Sequence, residues 1–163
     1  MKDPAPALRA AGLRPLELAD ATGLQALLER CASYFRAAEG APPAKHAALE
    51  RLSDALGDPR TRLFGVAGNP GALRGILQLQ LHEPSPDEVT VVLLLLEPAA
   101  RRRGLGRELV GSVLGALAGA GARSAHLGVQ DHEDGAAEFW RAMGFVEDGR
   151  EEGVTRMVRA LEG

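Results

Sequence analysis

Arg101-Arg102-Arg103-Gly104-Leu105-Gly106 presses three guanidinium groups against two glycines at the head of a helix-periodic stretch, directly after the apolar run Val89 to Leu96. A strand that turns through glycines into a helix exposes several backbone N–H groups at the positive end of the helix dipole. Glycine lets that backbone come close to an anion, and arginine adds charge and two-pronged hydrogen bonding. The chemistry expected is phosphate binding, although the same run would also serve as a solvated basic turn capping the helix. A P-loop needs G-x-x-x-x-G-K-[ST], and neither the lysine nor the hydroxyl is present. A dinucleotide turn of the G-x-G-x-x-G kind departs at Leu109 and lies too far along the chain.

Other reactive side chains are sparse. Cys31 is the only cysteine, so no disulfide framework or cysteine-rich zinc site exists, and its place on an apolar stripe reads as a buried core thiol. His46, His82, His126 and His132 show no metal-ligand spacing, and no metal is expected. Tyr34 is the only tyrosine and Trp140 the only tryptophan. Glu97 closes the apolar run beside Pro98, which has no N–H to give.

The elements that must position these residues are marked off by glycine and proline. Leu13 to Leu18 reads as a first strand, with Pro15 tolerable at an edge. From Asp20 one helix is expected, because Leu24, Leu27, Leu28, Cys31 and Phe35 recur at three- and four-residue spacing. Glu39 to Pro43 is a loop, and Ala48, Leu49, Leu52 and Leu56 outline a second helix ending at Gly57 and Pro59. Arg62–Ala67 and Leu73–His82 are strands, the second alternating apolar and polar residues, and Val89–Leu96 is apolar enough for a central strand buried on both faces. The helix from Gly104 carries Leu105, Leu109, Val113 and Leu117 on one stripe; its Gly111 and Gly115 each cost about 1 kcal/mol of propensity, a cost that close packing would explain. A strand Ala125–Val129, a helix from near Asp134 with Ala136, Phe139, Trp140 and Met143 inward, and a hairpin of Phe145–Asp148 with Val154–Ala160 complete the order β-α-α-β-β-β-α-β-α-β-β.

With 163 residues, 45% hydrophobic and 25% charged, the chain suits a single α/β domain over residues 1–163, with residues 1–11 expected as a flexible N-terminus. A formal net charge of -3 gives no global attraction to nucleic acid or to acidic membranes, so whatever the arginine run binds is local. The N-terminus lacks the apolar core of a signal peptide, and no run approaches a membrane span; a cytoplasmic location is expected.

Arg101-x-x-Gly104-x-Gly106 resembles the Q/R-x-x-G-x-G/A motif of the GNAT superfamily of acetyl-CoA-dependent N-acetyltransferases, and Pro98 stands where members commonly carry a proline. Phe139-Trp140-Arg141-Ala142-Met143-Gly144-Phe145 is similar to the family's F-Y-x-x-x-G-F segment, and the element order also resembles the family fold. The resemblance implies a mostly antiparallel sheet of about seven strands, a splayed parallel pair formed by the fourth and fifth strands, and about four helices. It implies acetyl-CoA as cosubstrate, with the pyrophosphate on the amides of Arg103, Gly104, Leu105, Gly106 and Arg107 and the side chains of Arg101, Arg102 and Arg103 beside it. The backbone of Leu95 and Leu96 would pair with the pantetheine arm, and Leu96 N–H would serve the oxyanion.

Acetyl transfer to a primary amine of a small molecule or peptide, by direct attack in a ternary complex, also calls for a base and an acid. Glu97 is the leading candidate for the base, although the residue reads more simply as a solvent-facing counter-charge to the arginines; Glu39, His82 and Glu83 are further candidates. Where many members carry a tyrosine as acid, Trp140 offers only an indole N–H, so it reads as a core aromatic that also shapes the pantetheine channel, and Tyr34 becomes the candidate acid or an acceptor contact, or else a boundary packing residue. Glu133 stands near the place of a family asparagine that contacts the coenzyme, which leaves that contact in doubt. A coenzyme A-binding or sensing module with little transferase activity is the alternative. A homodimer would be in keeping with the family.

Overall fold

The computed structural model describes residues 1–68, 72–101 and 104–162. Arg102 and Arg103, with their expected part in the site, lie outside the described residues. The elements run α1 (Ala5–Ala10), β1 (Leu13–Pro15), α2 (Ala21–Arg30), α3 (Ala32–Glu39), α4 (Ala47–Gly57), β2 (Thr61–Ala67), β3 (Leu73–Leu81) and β4 (Glu88–Leu96). They continue with α5 (Leu105–Gly119), β5 (Ser124–Gln130), α6 (Ala136–Ala142), β6 (Val146–Glu151) and β7 (Val154–Ala160). The seven strands form one sheet in the order β1-β2-β3-β4-β5-β7-β6, antiparallel throughout except for β4 and β5, which are parallel. No helix of the described residues is long and apolar enough to cross a membrane.

The sheet's two faces carry separate cores. Val89 and Val91 of β4, with Ala125, Leu127 and Val129 of β5, pack beneath Leu109, Val113 and Leu117 of α5. Leu63, Ile76 and Leu95 face the other way, beneath Leu24, Leu27 and Leu28 of α2, Phe35 of α3 and Leu52 of α4. Strand alternation and helical spacing account for both layers. The α2–α4 side therefore carries the even-numbered residues of β5, His126 among them.

Several expectations change. The expected fold of about four helices becomes six α-helices among the described residues. One addition is α1: the expected flexible N-terminus holds a short helix whose Leu8 is fully buried. The other comes from the first predicted helix, which divides at Cys31 (φ -97°, ψ 24°) into α2 and α3. Leu49 and Leu56 of α4 are exposed, leaving Ala48, Leu52 and Ala55 to face the core. Nothing among the described residues lies within 4 Å of a Cβ built on Gly111 or Gly115, so close packing does not explain them.

Candidate functional site: the fork between β4 and β5

β4 and β5 pair over only three residues: Glu88 with Ser124, Val89 with Ala125, and Thr90 with His126. Beyond them the strands separate while β4 stays paired to β3 as far as Leu96, after an irregularity at Val92 that shifts the register between Gln78 and Leu79. The six residues from Val91 to Leu96 therefore border an opening about 20 Å long.

Alternation decides which backbone groups face that opening. Glu97 N–H donates to the Arg74 carbonyl at 2.7 Å, and the Leu95 carbonyl lies 2.6 Å from a Cβ built on Gly75, so Leu95 and Glu97 turn their polar groups to β3. Leu94 and Leu96 consequently turn theirs towards the gap. The expected pair of Leu95 and Leu96 divides accordingly: Leu96 faces the opening, but Leu95 offers only a buried side chain to the α2–α4 core, and Leu94 takes its place in the row. The Leu96 carbonyl accepts from Arg101 Nε at 3.0 Å, with Cys31 Sγ 3.8 Å away. Burial pushes the Cys31 thiol up, against the opposing pull of Arg101 and Arg30, as suits a core thiol.

The row ends at the head of α5. Gly104 has φ +74°, a left-handed conformation that glycine adopts without strain, and no side chain among the described residues caps the helix. Glu108 N–H is the first to bond back to Gly104, which leaves the amides of Leu105, Gly106 and Arg107 without intrahelical partners. A Cβ on Gly106 would meet the Phe139 ring at 3.5 Å, so α6 closes against this turn. Trp140 is half-buried on the α5 side, edge-on to Phe139 and Phe145 at centroid distances of 5.1 and 5.2 Å. That position is core packing beside the turn.

The α2–α4 side supplies the remaining candidates. Glu97 Oε2 accepts from Arg30 Nε at 3.0 Å, while Arg30 also donates to the Leu73 carbonyl at 2.6 Å. Tyr34 stacks edge-on against His132 at 6.3 Å, bridging α3 to the segment after β5. Burial raises its phenol pKa, with Glu133 and Glu39 adding to the effect and Arg51 opposing it, so the hydroxyl keeps its proton at neutral pH. Glu133 is engaged locally, its Oε2 accepting from Gln130 N–H at 2.7 Å. His82 and Glu83 lie beyond β3, at the opposite end of β4 from Leu96. Glu39 lines a cavity of about 460 Å³ over β2 and β3 together with Glu50, Arg51, Asp54, Asp58 and Gln78, on the same face as Thr90 and His126. Arg51 is held there by Gln78 at 2.8 Å. No group of three or more His, Cys, Asp and Glu among the described residues is placed to hold a metal ion.

Sequence reading missed Leu94, because it requires the hydrogen-bonding parity of β4, and Gly75, whose role lies in a cross-strand contact. It also missed a polar cluster at the closed end of the fork. There Ser124 Oγ lies 2.9 Å from Glu88 Oε1 and 3.0 Å from His126 Nε2. The Ser124 hydrogen bond, followed by one from Ser85, holds the Glu88 carboxyl below its ordinary range.

A mixed sheet opened between two parallel strands, with helix-head amides that no side chain among the described residues caps where the opening ends, defines a class of fold with an internal strand edge leading to the head of a helix. The model of the GNAT acetyltransferase family matches residues 23–145, and the chain belongs to that family. An acetyltransferase from Thermus thermophilus is 30% identical, with 91% of this chain and 96% of that one covered and a TM-score of 0.82. PaiA N-acetyltransferase from Thermoplasma acidophilum, solved with coenzyme A, shares the fold at 14% identity and TM-score 0.71, covering 91% and 97% of the two chains. Spermidine N-acetyltransferase from Vibrio cholerae, solved with coenzyme A and spermine, shares it at 22% identity and TM-score 0.71, covering 91% and 94%. No curated protein matches the sequence.

Proposed function

We propose that this chain is a single-domain N-acetyltransferase that moves an acetyl group from acetyl-CoA to a primary amine of a small molecule or peptide, by direct attack in a ternary complex. The observation that carries the reading is the three-residue β4–β5 pairing, which leaves a row of β4 backbone groups facing a gap that ends at amides of α5 with no partner among the described residues. The amides of Gly104, Leu105, Gly106 and Arg107 would hold the pyrophosphate, favoured by the α5 dipole. Leu96 and Leu94 would meet the pantetheine arm as a neighbouring strand does. One of their two N–H groups would stabilise the oxygen of the tetrahedral adduct.

Arg101 must release the Leu96 carbonyl as the arm arrives, which frees its guanidinium for the phosphates. Tyr34, protonated at neutral pH, suits the departing thiolate as proton donor. Arg30 occupies the Glu97 carboxylate, which favours reading that residue as a counter-charge at the end of β4. The carboxylates lining the cavity beside Gln78 favour a cationic acceptor, which is the form most alkylamines take at neutral pH.

Calorimetry with coenzyme A and acetyl-CoA, followed by thiol release over a panel of amines, tests this reading. Binding with turnover supports it. Binding with no turnover on any amine would instead favour a coenzyme-sensing role, and no binding at all would remove both.

A further inference from the structure

The cluster at the closed end of the fork has a determinate proton arrangement. Ser124 is buried and has one hydroxyl proton, which it donates to Glu88 Oε1 at 2.9 Å. Its Oγ can then only accept from His126 Nε2 at 3.0 Å, so the imidazole proton resides on Nε2. Nδ1 is left as a bare lone pair, with no hydrogen-bond partner among the described residues. His126 belongs to the last pair before the strands separate, its ring still 22% exposed, on the face that also carries the carboxylate-lined cavity. It is flanked by Thr90 on β4 and Val158 on β7, and Glu88 is the one charged side chain within ion-pair distance of it among the described residues, at 3.5 Å.

We propose that His126 is the proton acceptor for the amine, acting through an intervening water, and that Ser124 and Glu88 are positioning residues that fix its tautomer. The inference rests on the transferase reading above. A coenzyme whose phosphates lie at the head of α5 and whose arm follows Leu96 and Leu94 directs its acyl end towards this closed end. The amine nitrogen forms a bond to the thioester carbonyl carbon as the bond from that carbon to sulfur breaks. The proton shed by nitrogen passes through the water to Nδ1, and Glu88 stabilises the imidazolium. Tyr34 supplies the thiolate's proton and recovers one from solvent, to which His126 returns its own, so the products are an amide and a free thiol.

Glu97 is the less suited acceptor because Arg30 occupies its carboxylate and it stands at the far end of the strand.

Long-range proton–nitrogen NMR of the free protein reads the tautomer directly: an Nε2-protonated His126 that loses its preference in Ser124→Ala is expected, and an Nδ1-protonated ring overturns the proposal. His126→Gln preserves a donor to Ser124. It should bind acetyl-CoA within about threefold of wild type by calorimetry, lose about a hundredfold or more in kcat/KM, and lose the acid limb of the pH profile. Glu97→Gln should keep that limb. His126→Gln that binds coenzyme normally and keeps the limb overturns this inference alone. A wild-type protein that binds no coenzyme overturns the transferase reading with it, and does so in the calorimetry, before any variant is compared.

Discussion

Gly75→Ala offers a direct test of whether the end of β4 is the coenzyme's strand. Gly75 pairs with Leu96 across β3 and β4, and a Cβ there would lie 2.6 Å from both the Leu95 carbonyl oxygen and Leu96 Cδ2. Ordinary contact begins at 3.4 Å, so the deficit is 3.4 minus 2.6, or 0.8 Å. Leucine Cδ2 can rotate aside, but the carbonyl belongs to a strand held by Glu97 N–H on Arg74, so β4 itself must shift. Overpacking of this kind costs about 1–3 kcal/mol. If the shift is carried into the Leu94–Leu96 row, coenzyme affinity falls in proportion, by roughly 5- to 150-fold at 1.4 kcal/mol per decade. Urea unfolding gives the stability and calorimetry with coenzyme A gives the affinity. Gly115→Ala, away from the fork and with nothing among the described residues within 4 Å of its Cβ, is the comparison. A Gly75→Ala protein that binds coenzyme as tightly as wild type would refute the assignment of this strand end to the ligand.

Gly111→Ala and Gly115→Ala, on the open face of α5, should each stabilise the protein by about 0.5–1 kcal/mol in urea, because the helix gains propensity without a clash. Four carboxylates have folded pKa values below their unfolded ones: Asp3, where burial is outweighed by the Ala5 N–H and Arg62, Asp20 through Arg14, Asp58 through the Arg60 N–H, and Glu88 through Ser124. Their stabilisation is therefore fully present above about pH 4.5 and lost as pH falls through the lowered values, so thermal midpoints should drop on acidification and Glu88→Gln should flatten part of that slope. Cys31, 1% exposed and with a raised pKa, should react with thiol reagents at neutral pH far more slowly than free cysteine; rapid labelling of the folded protein would contradict its burial against the β4 end.

How much was legible from sequence differs between the two ends of the site. The turn into α5 was readable because glycine at fixed spacing acts through local geometry, and Gly104 at positive φ, with no side chain among the described residues capping α5, is what that spacing specifies. The strand end was legible only as an apolar run, since which of Leu94, Leu95 and Leu96 turns to the gap depends on pairing with β3 and on the irregularity at Val92. The break at Cys31 was hidden because α3 continues the three- and four-residue spacing of α2 through Phe35. The cluster of Glu88, Ser124 and His126 was invisible for a further reason: Ser124 and His126 stand 36 and 38 residues beyond Glu88, and only the parallel register brings them together.

An ordinary sheet exposes unpaired backbone at its two outer edges, where any extended chain can add itself. By pairing β4 to β5 over three residues and then releasing it, this fold carries a third edge inside the molecule. Selection at such an edge is by length and by what must fit at its two ends, because main-chain amides recognise other amides whatever their side chains. The leucines of β4 are thus free to change to other apolar residues without altering what the edge accepts, whereas Gly75 behind it and Gly104 beyond it are not.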